Sequence, residues 1–124
     1  MNKRNTLQKN IVLNSIKSTK LHPTAKTLYE MIKKDNPTIG QATVYRNLND
    51  LVNTGKVKLI PNVNSNHFDG DISNHNHFIC NRCGNIIDIF DDNNTIDKKL
   101  EKKYMFDIYD ISVIYNGICK DCKK

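Results

Sequence analysis

Four cysteines and four histidines hold most of the chemistry this chain can offer. Cys80-x-x-Cys83 and Cys119-x-x-Cys122 are separated by 35 intervening residues, and each pair follows a strand-like run, "HFI" and "VIYNGI" respectively. Gly84, directly after the first pair, suits a tight knuckle that aims two thiolates at one point. Four thiolates at roughly 2.3 Å fill the tetrahedron around Zn²⁺ and leave no position for a substrate, so one structural zinc per subunit is expected. The competing chemistry is a pair of redox dithiols, which ordinarily open helices that lower the thiol pKa. Here "GNIIDIF" follows Cys83 and reads as a strand, which favours metal.

His75 and His77 lie two apart on the strand that enters the knuckle. Alternate strand residues share a face and lie roughly 6–7 Å apart, so both imidazoles can reach one ion. The cysteines already fill the zinc shell, so these nitrogens point to a second, harder metal. Further ligands are needed. Asp69 lies upstream, across the turn-rich "GDISN", and Asp88 interrupts the apolar run "NIIDIF". A carboxylate there is either on a solvent face or a ligand, and the residues alone leave both open. His22, before Pro23 at a helix start, and His67 read by themselves as surface or helix-end histidines.

The elements that must position these groups fall into two halves. Residues 1–60 hold 11 Lys/Arg against 3 Asp/Glu, and residues 61–124 hold 8 against 10. Only the first half suits a polyanion. Leu7, Ile11, Val12 and Ile16 recur at helical spacing over 7–17. Pro23 and Thr24 start a second helix with Ala25, Leu28, Met31 and Ile32 as its stripe, and "DNPT" ends it. A third helix is expected over 40–54, with Val44, Leu48, Leu51 and Val52 inside and Gly55 as its stop. Its opposite face carries Ala42, Tyr45, Arg46 and Asn49, groups able to meet base edges and phosphates in a major groove. Gln41 and Thr43 of the same helix join them as candidate contacts. "KVKLI" and "SNHFD" flank the turn-like "PNVN" and suit a two-stranded wing.

The second half reads as a small sheet with one Lys-rich helix over 95–104, held by Ile96 and Leu100, and the acidic "DDNN" as a loop. "FDIYDISVIY" alternates twice out of step, which predicts a strand with a bulge near Tyr109–Asp110. Such a half has little core of its own, so a homodimer is expected. The fold class is therefore α+β. Residues 1–62 form a winged helix-turn-helix domain, 63–74 a hinge, and 75–124 a small α/β dimerisation domain with the zinc site. No apolar run is long enough to span a bilayer, and no hydrophobic segment follows the basic N-terminus, so the expected location is cytoplasmic.

Taken in order, "HPTAKTLYEMI", "ATVYRNLNDLVNTGKVKLI", "HFD", "HNHFICNRCGNIIDIF" and "GICKDC" resemble the ferric uptake regulator family across residues 22–122. The resemblance implies a dimeric, metal-dependent repressor, not an enzyme, acting on double-stranded DNA with a palindromic, A/T-rich operator. It also implies a regulatory Fe²⁺ or Mn²⁺ site, one per subunit, made of His22, Asp69, His75, His77 and Asp88. His22 becomes a ligand by resemblance only, and His67 falls at a position that is not a usual ligand. Asp88 together with Asp69 is similar to the peroxide-sensing branch, in which a ligand histidine, His22 or His75, is oxidised. The alternatives are an iron- or zinc-uptake repressor that reports metal level alone and, more distantly, a small non-haem iron enzyme. For the enzyme, 124 residues leave little room for a substrate pocket. The chain is expected to lack the extra N-terminal helix of many members, and "RNTLQK" is a degenerate form of their basic lead-in. No histidine follows His77, so a third metal site is not expected.

Overall fold

Three helices supply the apolar stripes that build the first half. The computed structural model describes residues 3–62, 65–73, 75–90 and 97–123. Helix α1 (Lys3–Lys17) buries Val12 and Ile16, α2 (Ala25–Asp35) buries Leu28 and Ile32, and α3 (Gln41–Asn53) buries Val44, Leu48 and Leu51. These side chains close on Ile39, Val57 and Phe68 as one core. Leu7, expected in the α1 stripe, is 64% exposed. It precedes Ile16 by nine residues, about 900° of helical rotation, which places the two on opposite sides.

The helix ends follow from local chemistry. Thr24 caps α2 by accepting the Thr27 N–H at 3.2 Å. After α3, Gly55 takes φ +78°. Its N–H donates to the Val52 carbonyl and that of Lys56 donates to Leu51, satisfying carbonyls the helix would leave open. The chain then enters the wing, β1 (Lys58–Ile60) antiparallel to β2 (His67–Asp69), with Lys58 opposite Asp69 and Ile60 opposite His67. Part of the expected turn "PNVN", at 63–64, lies outside the described residues.

The chain divides into two compact units, Met1–Ile72 and Ser73–Lys124. The stretch 63–74 had been expected as a hinge, but β2 belongs to the first unit because it is laddered to β1.

The second unit is built on a three-stranded sheet of order β4-β3-β5, from β3 (Asn76–Cys80), β4 (Ile86–Ile89) and β5 (Ile114–Gly117). Strands β3 and β4 are antiparallel, and β5 joins β3 in parallel after a crossover that contains α4 (Lys98–Tyr104). Parallel neighbours require such a crossover. Asp97 caps α4 by accepting the N–H groups of Lys99 and Leu100. Two expectations are corrected here. Leu100 is 41% exposed, and no residue of α4 is buried. The run expected as a bulged strand is strand only from Ile114 onward. Before that point its backbone is held piecemeal: Ile108 N–H donates to the Glu101 carboxylate at 2.9 Å and Val113 N–H to the Asn76 amide oxygen at 3.2 Å. Ile96 and "DDNN" lie outside the described residues. Among the described residues, no helix is long and apolar enough to cross a membrane.

Candidate metal centres and nucleic-acid interface

The four cysteines converge at the ends of the sheet. Cys80 ends β3, Cys83 lies in the turn toward β4, and Cys119 and Cys122 follow β5. Their sulfur atoms lie within 4.8 Å of one another. Gly84 closes the first knuckle at φ +77°, with its N–H donating to the Cys80 carbonyl at 2.9 Å. The second turn closes as Cys122 and Lys123 donate to the Cys119 carbonyl. The Cys83 and Cys119 sulfurs stand 3.7 Å apart. Thiolates at tetrahedral corners 2.3 Å from zinc are separated by about 3.8 Å, whereas a disulfide needs about 2.05 Å.

The electrostatics also suit a cation. N–H groups of Cys83 and then Cys119 point at the Cys80 sulfur and bring its pKa down to about 5. Hydrogen bonding with Cys119, followed by burial, pushes Cys122 up to about 12. Cys80 favours the thiolate, and Cys122 needs a cation beside it to give up its proton. The donors fit structural Zn²⁺.

The second unit also presents two imidazoles and a carboxylate. His77 and Asp88 are register partners across β3 and β4, so Asp88 faces the histidines where the sequence had left two orientations open. The Asp88 Oδ1 atom lies 3.2 Å from His77 Nε2 and 3.3 Å from His75 Nε2. His75 Nδ1 lies 2.8 Å from the Ser73 carbonyl oxygen. A carbonyl only accepts, so Nδ1–H donates to it, which leaves Nε2 as the ring atom turned toward Asp88. Phe90 stacks on the His75 ring at 4.9 Å between centroids and limits its rotation. An imidazole nitrogen this close to a carboxylate oxygen calls for a proton or a metal ion between them. This donor set fits Fe²⁺ or Mn²⁺.

The first unit has its own such pair. His22 Nε2 lies 3.4 Å from Asp69 Oδ2, and both residues are buried. The other Asp69 oxygen accepts the Asp71 N–H at 2.9 Å, which fixes the carboxylate plane. His22 takes φ +52°, a left-handed conformation that costs a non-glycine residue about 1–2 kcal/mol. The residues alone give no sign of the Ser73 carbonyl or the Phe90 ring as partners of His75, since both act through packing and carry no motif.

On α3, Gln41, Arg46 and Asn49 are exposed, while Thr43 and Tyr45 are half-buried. The Gln41 amide donates to the Tyr45 hydroxyl at 2.7 Å, which organises one turn of the exposed face. Asn47 is instead buried, its amide returned to the Thr43 carbonyl.

Comparison with known proteins agrees with this arrangement. The profile of the Ferric uptake regulator family matches residues 1–116. The peroxide-responsive repressor PerR of Staphylococcus aureus is 34% identical over 122 residues, covering 97% of this chain and 82% of that protein. The crystal structure of the Campylobacter jejuni peroxide stress regulator superposes with a TM-score of 0.82 at 34% identity, covering 96% of this chain and 91% of that one. The Vibrio cholerae ferric uptake regulator superposes with a TM-score of 0.71 at 26% identity, covering 91% and 89%. With its winged helix-turn-helix, its four-cysteine site and its His/Asp donor groups, the chain belongs to the ferric uptake regulator family of metal-dependent DNA-binding regulators.

Proposed function

We propose that this chain is a dimeric repressor that holds a palindromic, A/T-rich operator while metal-loaded and releases it when hydrogen peroxide oxidises a ligand histidine, His22 or His75. The observation that carries the proposal is the convergence of imidazole nitrogen on carboxylate oxygen within each unit. His22 faces Asp69 in the first, and His75 and His77 face Asp88 in the second. One Fe²⁺ or Mn²⁺ shared by all five would tie the DNA-binding unit to the zinc-bearing unit. In a dimer that tie fixes the separation of two α3 helices, which must meet half-sites at about one helical turn or a multiple of it. The ion shifts the population toward that shape only by as much as it prefers it.

The remaining roles fall to the chain itself. Gln41, Thr43, Tyr45, Arg46 and Asn49 contact DNA, while Cys80, Cys83, Cys119 and Cys122 hold the structural zinc. Exposed Phe106, Tyr109 and Tyr115 offer a second copy an apolar surface to cover. Held by these residues, iron would catalyse the two-electron reduction of peroxide at the expense of a ligand imidazole, chemistry that manganese would not supply. The imidazole then gains one oxygen atom from peroxide, the other leaves as water, and the altered ring is a poorer ligand. Similarity to the Staphylococcus and Campylobacter proteins supports the peroxide reading over one that reports metal level alone.

The test is DNA-binding anisotropy on the promoter of the protein's own gene. The zinc-loaded protein is prepared anaerobically with Fe²⁺ or Mn²⁺ and given a small excess of peroxide. Loss of binding with Fe²⁺ alone, with one oxygen added in mass to the peptide holding His22 or His75, is expected. Binding that survives with both metals would make the protein an iron- or zinc-level regulator. Full metal-dependent binding by His75→Ala would defeat the clamp itself.

A further inference from the structure

We propose that His67, which is not one of the five donors above, is a positioning residue that holds His22 in its ligating conformation. The inference rests on the reading of His22 as a metal ligand. Its basis is the way β2 grips the 22–24 segment, 45 residues earlier in the chain. His67 Nδ1 lies 2.6 Å from the His22 carbonyl oxygen. The carbonyl only accepts, so the imidazole donates through Nδ1–H. The next residue, Phe68, donates its N–H to the Pro23 carbonyl at 3.0 Å, and Thr24 bridges to His67. The one after that, Asp69, presents Oδ2 to His22 Nε2 at 3.4 Å.

Three consecutive residues of one strand therefore fix three aspects of one ligand: its carbonyl, the chain that follows it, and its ring. The backbone of His22 needs this. At φ +52° it occupies a region that a bulky residue leaves unless its surroundings hold it there. Of the three holds, only the one from His67 comes from a side chain on the carbonyl of His22 itself. Loss of that donor lets the His22 peptide rotate toward ordinary φ and swings the imidazole away from Asp69. Strand β2 is also laddered to β1, with Ile60 opposite His67, so the ligand segment is fastened to the wing. Groups that orient a metal ligand without touching the metal characteristically tune its affinity.

The test compares His67→Leu, which keeps bulk and removes the donor, with His67→Asn. The Asn amide nitrogen stands the same number of bonds from the backbone as Nδ1 and can donate to the same carbonyl. Zinc-loaded full-length protein is titrated with Co²⁺, following both affinity and the visible ligand-field spectrum. His67→Leu should weaken Co²⁺ binding about ten-fold, and His67→Asn should recover to within about three-fold of the parent. Zinc content and the melting temperature before Co²⁺ addition should stay at parental values in both.

Parental affinity in His67→Leu would overturn the proposal. So would equal weakness in both variants, or a lower melting temperature without Co²⁺, since either marks a general packing role. His22→Ala separates the two levels of the argument. If it loses Co²⁺ while His67→Leu does not, only the positioning role falls. If it binds Co²⁺ like the parent, the reading of His22 as a ligand falls, and this inference with it.

Discussion

Gly70 offers a test of how tightly the ligand strand is docked. A Cβ added there would lie 2.9 Å from the carbonyl carbon and oxygen of Ile16 and from Cα of Lys17. Carbon atoms pack best at about 3.5–4.0 Å, so Gly70→Ala forces the backbones apart by more than about half an ångström. All three opposing atoms are backbone, and Ile16 is fully buried, so α1 cannot simply yield. Overpacking of this kind costs about 1–3 kcal/mol. Restricting the unfolded chain returns about 0.4–1 kcal/mol of that. The expected net loss is about 1–2 kcal/mol, and in a unit of this size each kcal/mol lowers the melting temperature by about 4–8 °C. Asp69 is the preceding residue, so its carboxylate shifts relative to His22 and Mn²⁺ affinity should fall as well. Thermal melting by circular dichroism, with a Mn²⁺ titration of the same sample, measures both effects. Gly40→Ala is the control, because a Cβ there meets nothing within 4 Å. A Gly70→Ala melting temperature equal to that of the control would refute the steric argument.

Other outcomes follow from the same geometry. Cys119→Ser removes a zinc donor from between the ends of β3 and β5. It should abolish stoichiometric zinc in metal analysis and unfold the second unit at temperatures the parent withstands. Zinc uptake by the metal-free protein should release protons near neutral pH. Cys122, pushed up to about 12, must give up its proton to bind, while Cys80, near 5, has already done so; apparent affinity therefore rises with pH, and a pH-independent titration would contradict this. Arg46→Ala, on the exposed face of α3, should weaken operator binding and lower its salt dependence by about one counterion, with no change in metal affinity. Ile108 N–H, and secondarily Lys98, hold the Glu101 carboxyl below its ordinary range. Its contribution is thus complete above the unfolded carboxylate pKa of about 4.3 and lost as pH falls through the lowered value; Glu101→Gln should flatten that part of an acid melt.

Much of this arrangement could be read in the residues, and the parts that could not share a cause. The cysteine knuckles, the three helices and the wing each declare themselves through spacing or a turn residue. Gly55 and Gly84, for example, both take the positive φ their positions suggest. What spacing cannot carry is partnership. The exposure of Leu7 depends on which side of α1 faces the core, and the sequence supplied four apolar residues for an arc that admits fewer. The orientation of Asp88 depends on the β3–β4 register, which pairs it with His77. Residues 106–113 alternate like a strand but have no strand beside them among the described residues until Val113 reaches His77. His67 looked inert because its role lies in a contact 45 positions away.

The two metal chemistries of the second unit share one piece of backbone. Strand β3 carries His77 and, three residues later, ends in Cys80. It lies at the centre of the sheet, so its register with β4 decides whether Asp88 meets His77, and its register with β5 brings Cys80 beside Gly117, just ahead of Cys119. Four sulfur ligands on one ion lock the ends of these strands, and with them both registers. A slip of one residue would turn Asp88 to the opposite face and leave His75 and His77 without their carboxylate. The tetrahedral site leaves no open position for a substrate, yet it sets the geometry of the neighbouring imidazole and carboxylate donors. Loss of zinc is therefore expected to weaken metal binding at the His75, His77 and Asp88 donors, which a Mn²⁺ titration of zinc-depleted protein measures, and by linkage the coupling works equally in the other direction.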